Sequence, residues 1–255
     1  MSDNEYILQQ KYPTITYDYR EYNMAIAELN KIQSDKERAA RAVDYMKSHD
    51  LSDDRYLFLF ETARKISELI DVNKIETTPF FKGQDFVTSS FKTIYEHFNL
   101  VYENFNFSYY WDPFSSIFGS MAGEYRSHYP KDKTKSKIII NEPFFYTKHD
   151  MIWYSGIVLH EFWHHLQRRF PNEIGYYFSD ETLKFDKYKL RGKNKRILYR
   201  YKPLEQEAWF IGYSLIYFLD KKTKFKYASK KIKQLASKSD KDVINVLKNM
   251  GKEKS

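Results

Sequence analysis

The sequence predicts an α+β fold that is mostly helical, and three observations carry that expectation. Apolar residues recur at spacings of three and four over much of the chain, the repeat of an amphipathic helix. Segments that alternate polar with aromatic residues, or run β-branched, are short and fall only in the middle, between residues 104 and 141. Hydrophobic residues make up 42% and aromatics 18% of 255 residues, enough for one substantial core and far from a disordered composition.

Taken in order, Tyr19 to Lys47 reads as helix, with Tyr22, Ile26, Leu29 and Ile32 on one face, followed by Ala39, Ala40, Val43 and Met46. Leu51 to Leu69 repeats the signal, with Ser52 or Asp53 as the cap. Its carboxylates read as solvated helix faces, and nothing catalytic stands out in it. Pro79 and Gly83 mark a break, after which Asp85 to Phe98 is helical with Asp85 as cap. Strands are expected at Asn104 to Trp111, about Gly123 to His128, and Lys137 to Asn141. Asp150 is expected to cap a helix from about Met151 to Arg169, and Pro203 to open another reaching Leu219. Val243 to Met250 is a last amphipathic helix before a charged tail, Lys252 to Ser255. The expected organisation is a helical N-terminal region (1–75), a core (76–220) and a basic helical tail (221–255).

Composition excludes several classes. The absence of cysteine removes both a disulfide framework and a thiolate zinc site, so any metal must be held by His, Asp, Glu or water. Met1-Ser2-Asp3-Asn4-Glu5 lacks a basic region followed by an apolar one, and no apolar run approaches a membrane span. The expectation is a soluble, cytoplasmic protein without membrane contact. A net charge of +8 implies attraction to polyanions without amounting to a binding site. Abundant Lys, Tyr, Phe and Asn fits an AT-rich coding genome, as in a phage or low-GC bacterium.

The chemistry centres on His160-Glu161-Phe162-Trp163-His164, an H-E-x-x-H pattern. Residues four apart stack on one helix face, so the two imidazoles can grip a single zinc ion. Glu161, about 100° round the helix, reaches a water on the open side of that metal. Ser155-Gly156-Ile157-Val158-Leu159 before the motif, and Phe162-Trp163 within it, mark a core helix rather than a solvated one.

A catalytic zinc needs a third protein ligand. No histidine follows His165, and position 170, where the H-E-x-x-H-x-x-G-x-x-H pattern places its third His, is Phe. A downstream carboxylate must therefore serve, from among Glu173, Asp180, Glu181, Asp186, Glu205, Glu207 and Asp220. Only Glu205 and Glu207 open an apolar helix able to pack on the motif helix. They point about 200° apart, so at most one faces a given metal. Glu207 shares its face with Leu204, Ile211 and Leu215, the stripe expected to turn inward, whereas Glu205 shares its own with Trp209, Gly212 and Ile216. Glu207 is the favoured ligand, because a charged Glu on an apolar stripe is expensive unless partnered, and zinc would be the partner.

On these residues, with Glu207-Ala208 following the motif, the chain resembles the zincin metallopeptidases, and more narrowly the gluzincin type. His160 to Gln167 is also similar to the motif in poorly characterised bacterial and phage metallopeptidases. The resemblance implies a zincin-like core with a small mixed sheet packed on the motif helix. It implies zinc-dependent hydrolysis of peptide bonds, with His160, His164 and Glu207 as metal ligands and Glu161 as general base to a metal-activated water. The partner is then a protein or peptide substrate, and the strand at Lys137 to Asn141 is expected to pair with it by strand addition. Tyr176, Tyr177 and Tyr213 are open choices for steadying an oxyanion, and His165 points off the metal face. The 43 residues from His164 to Glu207 exceed the gap in compact gluzincins and include a basic stretch.

Two other readings stay open. Eight Lys or Arg without an acid between Lys187 and Lys202, and seven lysines from Lys221 to Lys233, would suit a nucleic-acid-associated zinc protease acting on DNA- or RNA-bound proteins. A zincin-like fold kept as a non-catalytic binding module is the third. Salt-dependent DNA binding separates the first from simple proteolysis, and metal content separates the last.

Overall fold

The computed structural model describes residues 15–17, 19–48, 50–98, 105–109, 123–127, 136–140, 146–170, 174–178 and 203–253. These residues are mostly helical, with small sheets, in keeping with the α+β expectation. The basic stretch from Lys187 to Lys202 and the candidates Glu173, Asp180, Glu181 and Asp186 lie outside them. No helix among them is long and apolar enough to cross a membrane.

The first expected helix is two: α1 (Tyr19–Lys31) and α2 (Asp35–Ser48). Ser34 accepts from the Glu37 backbone N–H, starting a second helix where the apolar repeat alone would run on. The Arg38 side chain bonds the carbonyls of Leu29 and Ile32, satisfying groups that the end of α1 leaves open. Next come α3 (Asp53–Leu69), whose cap is Ser52, the short α4 (Asn73–Thr77), and α5 (Gly83–His97), which begins two residues before the expected Asp85.

Three strands follow: β2 (Phe105–Tyr109), β3 (Gly123–Ser127) and β4 (Ser136–Ile140). They pair in the order β2-β4-β3, parallel between β2 and β4 and antiparallel between β4 and β3. β4, the strand expected to take a substrate, is therefore central, with both hydrogen-bonding edges occupied. This corrects the expectation, since strand addition needs an open edge. Burial explains the placement, because Ile138, Ile139 and Ile140 are all buried. A further pair, β1 (Ile15–Tyr17) and β5 (Tyr176–Phe178), joins distant segments in parallel, which no local pattern announces.

The long α6 (Lys148–Arg169) carries the motif. Its cap is Thr147 rather than Asp150. Thr147 accepts from the Asp150 N–H at 3.2 Å while the Asp150 carboxylate accepts from the Thr147 N–H at 2.7 Å, a capping box. α5 and the sheet cover one side of α6: Phe91 stacks on Phe107 at 4.6 Å, and Phe91, Tyr95 and Phe98 pack on Phe162. The other side meets α7 (Pro203–Lys222), buried almost throughout, and α7 in turn packs on α3. The short α8 (Lys230–Lys233) and α9 (Asp240–Glu253) close the core through Ile232, Val243 and Leu247.

One hydrophobic cluster runs from Leu51 to Met250, so the expected boundaries at 75 and 220 do not separate cores. Part of the lysine-rich run after α7 has structural work: Lys222 donates to the Ser67 and Ile70 carbonyls at the end of α3, and Lys226 pairs with Glu76.

Candidate metal centre

α6 and α7 run in opposite directions and touch backbone to backbone. A Cβ on Gly156 would fall 2.5 Å from Ile216 Cγ1 and 2.8 Å from the Gly212 carbonyl oxygen, and one on Gly212 would meet the Gly156 oxygen at 2.8 Å. Only glycine at both positions lets the helices approach this closely. The crossing lays the Glu205-Trp209-Gly212-Ile216 face of α7 against the Gly156-His160-His164 face of α6. Trp209 packs on His160, with ring centroids 4.3 Å apart.

His160 and His164 sit one turn apart with ring centroids 4.7 Å apart, and together with Glu161 form a largely buried group able to hold a metal ion. Glu161 Oε1 is 3.8 Å from His160 Nε2. Across from them stands Glu205, whose Oε1 is 3.3 Å from His164 Nε2 and whose Oε2 is 3.8 Å from His160 Nε2. Burial, reinforced by the charge of His164, pushes His160 down to about 3. Burial also works to lower His164, but the carboxylates of Glu205 and Glu161 and the hydrogen bond to Gln167 together outweigh it and hold that ring up at about 9. The backbone of β3 lies against Glu161, since a Cβ on Gly123 would come 3.3 Å from Glu161 Oε1.

Glu207, the expected third ligand, is not at this cluster. It forms a buried ion pair with Arg55 of α3, which donates from Nε to Oε1 and from Nη2 to Oε2. Trp163 Nε1 and Gln167 Nε2 also donate to Oε2. The reason for the correction is electrostatic. The inward-facing carboxylate does need a partner, as the apolar stripe implied, but the partner is a guanidinium, which also donates to the Ile174 carbonyl at 2.7 Å. Glu205 takes the place beside the histidines because its face, with Gly212 at the crossing, is the one α6 meets.

His165 points away from the pair, with Nδ1 3.2 Å from Tyr125 Oη. Tyr213 is buried against Trp153 and Trp209. Tyr176 and Tyr177 fall in β5, their side chains outside the described residues. Nothing in the sequence singles out Arg55, and Gln167 enters there only as the last residue of the motif resemblance, with no role. The one signal in reach was the pair of glycines, Gly156 and Gly212, each on an otherwise apolar helix.

The arrangement is a buried two-histidine, two-carboxylate cluster with the donor types of a nitrogen- and oxygen-ligated metal site. No family model matches the chain, nor does any curated protein or solved structure.

Proposed function

We propose that the chain is a zinc-dependent peptidase in which His160, His164 and Glu205 hold the metal and Glu161 is the general base. The observation carrying this reading is the convergence of both imidazoles and the Glu205 carboxylate, from two helices, in one buried place. The donors fit the metal. Two nitrogens and a carboxylate are a catalytic zinc set that leaves a fourth position open, and His164 Nε2 is buried without a hydrogen bond among the described residues. Zinc bound there would supply Lewis acidity, lowering the pKa of a water and polarising the scissile carbonyl.

The chain's own residues supply the proton handling. Glu161 accepts a proton from the attacking water as its oxygen bonds the carbonyl carbon, and delivers a proton to the amine nitrogen as the C–N bond breaks. Its place beside rather than behind the histidines suits that task. An extended peptide would add to β3, of the sheet's two edge strands among the described residues the one whose backbone runs against Glu161, at Gly123.

Zinc content of the purified protein, measured with peptidase activity on an unstructured protein substrate, tests the proposal. Glu161→Gln is expected to keep zinc and lose about 10²–10⁴-fold in rate. Glu205→Gln is expected to lose the metal. Absence of zinc from wild-type protein supplied with it would overturn the reading.

A further inference from the structure

We infer that Gln167, anchored by the Arg55–Glu207 ion pair, is a positioning residue that fixes which ring nitrogen of His164 faces the metal centre. The inference rests on the reading of His160, His164 and Glu205 as ligands, and extends the centre to a helix from the N-terminal third of the chain.

Hydrogen-bond polarity passes from one residue to the next. Arg55 has only donors, and it occupies both oxygens of Glu207. A carboxylate paired in this way accepts only, so whatever else approaches Oε2 must donate. Trp163 Nε1 does so at 2.9 Å and the Gln167 side-chain nitrogen at 3.3 Å. The same nitrogen donates to the Leu204 carbonyl at 3.0 Å, so two acceptors fix the amide's orientation. Gln167 Oε1 must then point the other way, where it lies 2.8 Å from His164 Nδ1. An amide oxygen accepts, so Nδ1 carries a hydrogen, and Nε2, on the Glu205 side, is the nitrogen left to exchange its proton for a metal.

This assigns work to residues the peptidase reading leaves idle. Glu207 is a buried acid that orients a ligand without being one. Trp163, at a variable position of H-E-x-x-H, holds that acid in place. Arg55, 152 residues from Glu207, makes α3 part of the centre.

Two readouts test the inference in the full-length protein. The first is zinc affinity by competition with a chelator. The second, on metal-free protein labelled at histidine, is the proton–nitrogen correlation spectrum, which reports which His164 nitrogen is protonated when the ring is neutral. Wild type is expected to show the Nδ1–H form. Gln167→Leu is expected to lose that preference and weaken zinc binding about 10–100-fold, with an unchanged circular dichroism spectrum. Arg55→Met with Glu207→Met removes the anchor while exchanging a buried ion pair for apolar side chains, which spares the fold. Because the Leu204 carbonyl still accepts from Gln167 Nε2, the double variant should show both effects in part, and adding Gln167→Leu to it should bring them to the level of Gln167→Leu alone. A Gln167→Leu protein that keeps the Nδ1–H form and wild-type affinity overturns the inference. If wild type binds no zinc, the metal reading falls, and the protonated nitrogen alone decides the positioning role.

Discussion

Glu205 and Glu207 stand two residues apart on α7, 6% and 0% exposed, in opposite surroundings. Glu207 accepts from Arg55, Trp163 and Gln167. Glu205 faces two imidazoles, the side chains that bind protons or metals interchangeably. Burial alone thus does not tell a ligand from a strut. The partners do: a carboxylate saturated by donors that keep their protons is structural, and one set against exchangeable bases is available to a cation.

The comparison can be broken most directly by deleting each acid. Glu207→Ala leaves Arg55 buried without its counter-charge, and urea unfolding should show a loss of about 3–5 kcal/mol. Glu205→Ala should abolish zinc binding and cost the metal-free protein less than Glu207→Ala does, because the imidazoles it leaves can become neutral and Arg55 cannot. Equal destabilisation by the two would erase the distinction.

Asp220 sharpens it as a third buried acid, whose two oxygens lack hydrogen-bond partners among the described residues. Burial pushes it up to about 7 against a weaker opposing effect of Lys233. The folded state therefore holds this proton more tightly than the unfolded chain does. Its contribution is fully present below the unfolded value of 3.8 and is lost as pH rises through about 7. Asp220→Asn should remove that dependence, raising stability at pH 8 by on the order of 2–4 kcal/mol relative to wild type. Unfolding midpoints at several pH values would show parallel curves if burial does not neutralise it.

Gly212→Ala probes the crossing that brings Glu205 to the histidines. With the Gly156 carbonyl 2.8 Å from the new methyl, it should cost about 1–3 kcal/mol and weaken zinc binding as well. The smallest effect belongs to Thr147→Ala, which breaks the capping box far from both acids. About 1 kcal/mol of thermal stability should go, with zinc affinity unchanged.

How much of this was legible in the sequence follows from the range of each signal. The motif helix, the start of α7 at Pro203 and the Ser52 cap are local, written within a turn or two of the residues concerned. The choice between Glu205 and Glu207 was not local. α7 is buried on nearly every face, so counting apolar neighbours could not say which stripe meets α6 and which meets α3. A charged Glu207 on an apolar stripe does need a partner, but nothing near either residue in the sequence ties Arg55 to it. The middle strands were legible as segments and not as an order, because register and neighbour are settled by tertiary packing. That is why the strand expected to pair with a substrate lies at the centre.

Contact at Gly156 and Gly212 has a consequence for tuning. Two helices already touching through their main chains behave as a caliper with a locked jaw: no methyl layer remains to compress, and neither rod can shift inward. With Glu205 as the proposed ligand, an ion of different radius would have to be accommodated by torsions within its side chain. Shortening that side chain to Asp would open a shortfall of one methylene that the scaffold has no freedom to recover.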